Sequence, residues 1–388
     1  MQIYLDYSAT TPPREEAIAA LQEVMSGPWG NPSSLHVWGQ RAATTLERAR
    51  MQVASLLHAE PESIVFTSGG TEANNWALMG IARQYSQPQH IIVSSVEHPA
   101  ISQVAEMLEA AGWQITYLPV DNEGRVRPSD LEAALQDNTV LVSIIYGQSE
   151  VGTVQPIAEL AEIARSRGVC FHTDAVQAVG RLPIDLQQLP VDMLSLSSHK
   201  IYGPQGSGAL YVRPGTSILP WMLGGGQEEG MRSGTQALPA IAGFGVAAEQ
   251  MAAEMATEIP RLQKLRDRLI AQLSDLPGFC LTGSSQSDRL PHHVSFCLTQ
   301  RDENITGKTL VRQMNRAGIA ISSGSACHSG TLAASSILLA MGYSEFDALS
   351  AVRMTLGRHT TAADVDWTAM AFRQVTERLQ PEPALSVG

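Results

Sequence analysis

Four cysteines in 388 residues are too few for a disulfide framework, and Cys170, Cys280, Cys297 and Cys327 are too scattered to suggest one. No C-x-x-C pair or close histidine set accompanies them, so no zinc site is signalled and no metal is expected. Positive charge is also short. With 26 Lys and Arg against 38 Asp and Glu the net charge is -12, and no basic run interrupts it. A duplex or RNA surface needs clustered cations to neutralise phosphates, which argues against a nucleic-acid partner. Apolar runs stop well before the roughly 18 residues of a membrane span, and Met1 leads into a polar, aromatic segment rather than a targeting peptide. A reducing, cytoplasmic setting without a membrane partner is the expectation. Solenoid-length repeats, Pro/Ser-rich linkers and low-complexity tracts are missing too.

What is present reads as a compact α/β chain. Hydrophobic residues make up 44% of it, and its length suits a large domain with a smaller companion. Short β-rich runs at 64–67, 91–96, 115–120, 140–145, 169–173, 193–196 and 209–212 alternate with helical patterns at 72–83, 100–111 and 157–167. Such alternation predicts a mostly parallel sheet covered by helices. After Gly224-Gly225-Gly226 the pattern changes to a long Ala-rich helical stretch, expected to be interrupted near Pro260. Fewer strands follow, at 294–298 and 319–322. A last helix is expected from the capping box Thr361 to Asp364 as far as Leu379.

Several strand ends carry residues with chemical potential. Ser68-Gly69-Gly70-Thr71-Glu72 joins the first of these strands to a helix, and reads either as a tight turn or as an amide cradle for a phosphate. It lacks the Gly-Lys-Ser/Thr ending of a nucleotide loop and the G-x-G-x-x-G of a dinucleotide fold. Asp174 ends the 169–173 strand with Gln177 three residues on. An Asp there caps a helix or, with the amide, holds a ring nitrogen and a neighbouring oxygen. Ser197-Ser198-His199-Lys200 follows the next strand. Its lysine is either solvated or an amine able to form an imine with an aldehyde cofactor. Phosphate cradle, carboxylate and amine together are what pyridoxal phosphate requires. His98 follows a strand as well, as a helix-start residue or as a ring-stacking proton carrier. Arg353 sits in an apolar run, where it serves a structural ion pair or a carboxylate ligand. Cys327 differs from the other three thiols: it lies in a Gly/Ser-rich run, Ser322 to Gly330, that no apolar periodicity buries, whereas Cys170, Cys280 and Cys297 adjoin strand-like runs and read as core residues.

In this order the residues resemble cysteine desulfurases of the NifS/IscS type, group I, within the fold-type I pyridoxal-phosphate enzymes. The resemblance runs from Tyr4-Leu5-Asp6-Tyr7-Ser8-Ala9-Thr10-Thr11-Pro12 and Gly30-Asn31-Pro32-Ser33-Ser34-Leu35-His36 to Gly357-Arg358. It implies the fold-type I transferase fold: a large cofactor-binding domain over 16–258 with a mostly parallel seven-stranded sheet, and a smaller α+β domain from 1–15 and 259–388 carrying the catalytic cysteine loop. By the same resemblance Lys200 forms the imine, Asp174 pairs the pyridine nitrogen, Gln177 contacts the ring oxygen and His98 stacks on the ring. Gly70, Thr71, Ser197 and His199 hold the phosphate, and Thr235 reaches the phosphate of a partner subunit, implying a homodimer. Arg353, Ser149 and His36 face the substrate, L-cysteine. Lys200 removes its Cα proton, and the Cys327 thiolate takes its sulfur as a persulfide for an acceptor protein such as an iron–sulfur scaffold, leaving alanine. A C–S lyase acting on cysteine or cystine, or a selenocysteine lyase, is the alternative. The chain departs from the family pattern at Gln148-Ser149-Glu150, where Asn-Asn-Glu is common, and at Gln205, where Lys is common.

Overall fold

A computed structural model describes residues 2–27, 29–285, 288–299, 305–324 and 334–379. Its largest sheet has seven strands in the order Ile64–Thr67, Gly208–Val212, Met193–Ser197, Cys170–Asp174, Thr139–Ser143, His90–Ser94 and Gln114–Leu118. All neighbours run parallel except Gly208–Val212, which is antiparallel to both strands beside it. Side chains of a strand alternate between faces, and here both faces are buried. Ile64, Phe66, Ile92, Val142 and Leu194 join one hydrophobic cluster, whereas Val65, Ile91, Val93, Leu141 and Met193 join another. The first is covered by Val37–Leu56, Ile157–Ser166 and the start of Leu238–Leu273; the second by Gly70–Ala82 and Pro99–Ala110. Each fully buried Ile or Leu contributes roughly 1.5–3 kcal/mol, so this double burial explains why the strands read as continuous apolar runs.

A third cluster lies apart. It gathers Ile3 and Leu5 with Leu262, Leu265, Leu269, Val294, Phe296, Met354 and Phe372. Its sheet has four antiparallel strands, in the order Ser322–Ser323, Val352–Thr355, His293–Leu298 and Phe279–Leu281. The expected single strand at 319–322 is in fact two pieces. Ile319–Ala320 pairs with Ile3–Tyr4, and Ser322–Ser323 pairs with the strand of Arg353, because the chain changes sheets at Ile321.

The interruption expected at Pro260 does not occur, and Leu238–Leu273 is one helix of 36 residues. Pro260 removes the bond to the Ala256 carbonyl, yet both residues are exposed, so water can satisfy it. Burial of Met251 in one cluster and of Leu262, Leu265 and Leu269 in another holds the two halves in line. The Thr361 box is present: Thr361 Oγ1 accepts from Asp364 N at 3.1 Å, and Asp364 Oδ2 accepts from Thr361 N at 2.8 Å. No helix among the described residues is long and apolar enough to cross a membrane.

Candidate active site

The carboxyl ends of the parallel strands converge on a cavity of about 330 Å³, the usual ligand position in open α/β sheets. Its wall brings together Gly70, Thr71, His98, Ser149, Asp174, Gln177, Ser197, His199, Lys200 and Arg353 from the sequence reading, and adds Ser8, Ala9 and Asn74. A larger cavity of about 750 Å³, bounded by Tyr4, Tyr7, Pro12, Pro204 and His359, has no lysine among its described lining residues. The chemistry resides in the smaller one.

One side of the cavity is built for an anion. The helix Gly70–Ala82 starts there, and Gly69, which precedes it, offers no side chain to cap the first amides. The turn before it is held from outside, because Glu72 Oε2 accepts from Ser68 N at 2.7 Å while Arg232 Nε pairs with Glu72 Oε1 at 2.7 Å. An added Cβ at Gly70 would stand 2.6 Å from Val176 Cγ2, so only glycine allows this close approach. Ser197 and His199 flank the amides. His199 Nδ1 bonds Thr10 Oγ1 at 3.1 Å, and burial, with Lys200 and Arg181 nearby, lowers its pKa to about 4.

The same cavity holds the carboxylate. Asp174 Oδ2 accepts from Asn74 Nδ2 at 2.6 Å and Oδ1 from Val176 N at 2.9 Å, so it caps its turn and faces the cavity at once. Gln177 Nε2 donates to Ser8 O at 2.9 Å, while Gln177 Oε1 and Asn74 Oδ1 are buried without a partner among the described residues. Such orphaned acceptors are costly unless a bound group answers them. His98 likewise has both roles open to it. Its Nδ1 accepts from Ala100 N at 3.1 Å at the start of Pro99–Ala110, its ring lines the cavity, and burial favours the neutral imidazole.

Lys200 Nζ donates to the carbonyls of Ser8 at 2.5 Å and Ala9 at 2.8 Å. No carboxylate among the described residues pairs with it. Burial, with Arg181 and then Arg353 in support against Asp6 and Asp174, pushes its pKa down to about 7, leaving a substantial fraction as free amine near neutral pH. Arg353 makes the structural ion pair and also lines the cavity: Nη2 pairs with Asp6 Oδ1 at 2.8 Å, Nη1 donates to Ser149 O at 3.0 Å, and the buried Nε has no partner among the described residues. His293 Nε2 bonds the same Ser149 carbonyl at 3.0 Å, fixing this wall from a second strand. Glu150 is half-buried beyond it and accepts from Ser335 Oγ at 2.6 Å.

His36 and Thr235 do not line the cavity of the single chain; His36 Nδ1 caps the helix Val37–Leu56 by accepting from Gly39 N at 3.2 Å. Cys327 lies outside the described residues. Of the other thiols, Cys297 is buried, while Cys170 and Cys280 are half-buried.

An uncapped helix start, a buried carboxylate, a lysine of lowered pKa and unanswered amide acceptors lining one cavity fit pyridoxal phosphate. Comparisons with known proteins agree. The aminotransferase class-V family, whose enzymes depend on that cofactor, matches residues 3–367. Cysteine desulfurase IscS of Dictyoglomus turgidum is 42% identical over 380 residues, covering 98% of this chain and 95% of that protein. Its counterpart in Pseudomonas aeruginosa PAO1 is 43% identical over 386 residues, covering 98% and 94%. Among solved structures, a NifS-like protein superposes with a TM-score of 0.91 at 34% identity, over 98% of this chain and 100% of that one. A NifS-like protein from Rickettsia africae gives 0.87 at 31% identity, over 97% and 100%. The chain therefore belongs to the aminotransferase class-V family and, within it, to the group of the IscS and NifS cysteine desulfurases.

Proposed function

We propose that the protein removes sulfur from L-cysteine, forming L-alanine and a persulfide on Cys327. The observation that carries this reading is Lys200, a half-buried amine held on two carbonyls in a cavity that it shares with Asp174 and an uncapped helix start.

Bound pyridoxal phosphate supplies an aldehyde for an imine and a ring that accepts the electron pair from the substrate Cα. Gly70, Thr71, Ser197 and His199 would hold its phosphate, Asp174 its ring nitrogen, Gln177 its ring oxygen and His98 its face. Lys200, as a free amine, is a base with its pKa near neutrality and would take the Cα proton. Arg353, steadied by Asp6 and Ser149 O, presents a charged planar group to the substrate carboxylate. Ser149 lines that same wall, with a shorter reach than the family's usual Asn. The Cys327 thiolate then attacks the substrate sulfur. An S–S bond forms as the Cβ–S bond breaks, and the carbon keeps the electron pair and is protonated to alanine. Gly324, with its amide on Ala351 O at 3.2 Å, anchors the chain beside Glu150, and Cys327 is three residue steps further along the sequence, at most about 10 Å at full extension.

The separate hydrophobic cluster supports reading 16–258 as a cofactor-binding domain and 1–15 with 259–388 as a smaller one. A homodimer in which Thr235 serves the partner's cofactor, a cytoplasmic setting and an iron–sulfur scaffold as acceptor complete the proposal. The decisive test is mass spectrometry after cysteine addition: one extra sulfur on the Cys327 peptide, with alanine as co-product, is expected. Cys327→Ala should keep the visible imine band and lose sulfide release. A fully active Cys327→Ala variant would instead make the protein a C–S lyase.

A further inference from the structure

Arg181 is a buried cation with no anion beside it. The residue is 6% exposed, and among the described residues it forms no ion pair, unlike Arg14, Arg50, Arg232 and Arg353. Its hydrogen-bond partners among the described residues are carbonyls: Nη1 donates to Gln177 O and Nη2 to Tyr7 O, each at 3.3 Å. Both carbonyls adjoin the cavity. Gln177 lines it, and Tyr7 precedes Ser8, whose carbonyl receives Lys200 Nζ. The backbones are close as well, since a Cβ added at Gly180, next to Arg181, would lie 3.1 Å from Ile201 Cγ2, next to Lys200. Two cations thus rest on successive carbonyls of one short segment.

Other charges around Lys200 are offset or weak. Arg353 is balanced by Asp6 at 2.8 Å, Asp174 is engaged by Asn74, and His98 and His199 favour their neutral forms. Arg181 alone acts uncompensated. Burial lowers its pKa to about 10, which still leaves it fully charged at neutral pH. An unpaired buried guanidinium is costly, and a fold that keeps one beside an amine gains a fixed positive field at that amine.

We propose that Arg181 is an electrostatic positioning residue for Lys200: its uncompensated charge disfavours the ammonium form and keeps the lone pair available to capture the cofactor aldehyde. The inference rests on Lys200 being the amine that captures the cofactor. It accords with the depressed Lys200 pKa, for which Arg181 is the largest cause after burial.

The test uses apoenzyme and pyridoxal phosphate, following the rate of imine-band appearance against pH. Arg181→Met removes the charge at similar length, Arg181→Gln is neutral but retains amide donors, and Arg181→Lys retains the charge. In the two neutral variants the midpoint is expected to rise by about one pH unit, slowing capture near neutral pH by about fivefold. Arg181→Lys should stay near the wild-type midpoint. Unchanged midpoints in the neutral variants overturn the proposal. So does an Arg181→Lys midpoint displaced as far as theirs, which assigns the effect to packing. If Arg181→Met does not fold, Arg181→Gln against Arg181→Lys decides the matter. A wild-type apoenzyme that captures no cofactor at Lys200 would refute the reading of the site instead.

Discussion

Glu97, one residue before His98, is 4% exposed and forms no ion pair among the described residues. Its Oε1 accepts from Ile145 N at 2.8 Å and from Ser94 Oγ in a close contact, while Oε2 has no partner among the described residues. Burial outweighs those two bonds and, aided by Asp174, raises the carboxyl pKa from 4.5 to about 8. The folded chain therefore keeps a neutral acid where the unfolded chain ionises. Between those two pH values the native state binds one more proton. Its contribution to stability is complete below the unfolded pKa, and is lost at about 1.4 kcal/mol per pH unit as pH rises to the folded one. Glu97→Gln keeps Oε1 for both donors and replaces the protonated oxygen by an amide group, so it should escape the loss. Relative to wild type, the variant's stability is expected to grow by about 3 kcal/mol between about pH 5 and about pH 7.5. Urea unfolding of the apoenzyme at a series of pH values, followed by tryptophan fluorescence, measures this directly. A difference between the two proteins that stays constant with pH would refute the reasoning.

Two further outcomes follow from the cavity. Asn74→Leu removes the donor to Asp174 Oδ2, a charge-assisted bond of about 1.5–3 kcal/mol; cofactor affinity, measured by equilibrium titration of the apoenzyme, should fall by roughly 10- to 100-fold. Gly70→Ala places a methyl 2.6 Å from Val176 Cγ2 and crowds the helix start; the same titration should show weaker cofactor binding, with an unchanged far-ultraviolet spectrum.

The strands and their helices were legible because burial on both faces leaves continuous apolar runs, and observed bounds differ from the expected ones by one or two residues at most ends. The differences have a pattern. The runs at 91–96, 115–120 and 140–145 end two residues early, at Ser94, Leu118 and Ser143, because apolar residues such as Val96 and Ile145 remain buried after the chain has left the ladder. Burial alone does not mark where pairing stops. Lys200, Asp174 and His98 were legible as side chains of special chemistry at strand ends. Asn74 lies four residues along its helix from Gly70, so helical spacing would have pointed it toward the cavity. Arg181 and Glu97 gave no comparable signal, because their significance is the partner each lacks, which appears only when the chain is folded.

What assembles the site is a segment whose role is mostly in its backbone. Asp6 pairs with Arg353, Tyr7 O receives Arg181, Ser8 O receives both Lys200 and Gln177, Ala9 O receives Lys200, and Thr10 and Thr11 bond His199 through its ring and its carbonyl. Six consecutive residues thus touch five different site residues. Its anchors belong to different cores: Leu5, just before it, to the cluster of the four-stranded sheet, and Tyr7, within it, to the cluster beneath the large sheet. From Tyr7 onward the chain lays a row of carbonyls over the strand ends. Carbonyls suit this task better than carboxylates. They hold the buried Arg181 and the half-buried Lys200 by hydrogen bonds without a negative charge that would favour the ammonium form of Lys200. The segment therefore lets the fold fix the amine firmly while leaving it free to lose its proton.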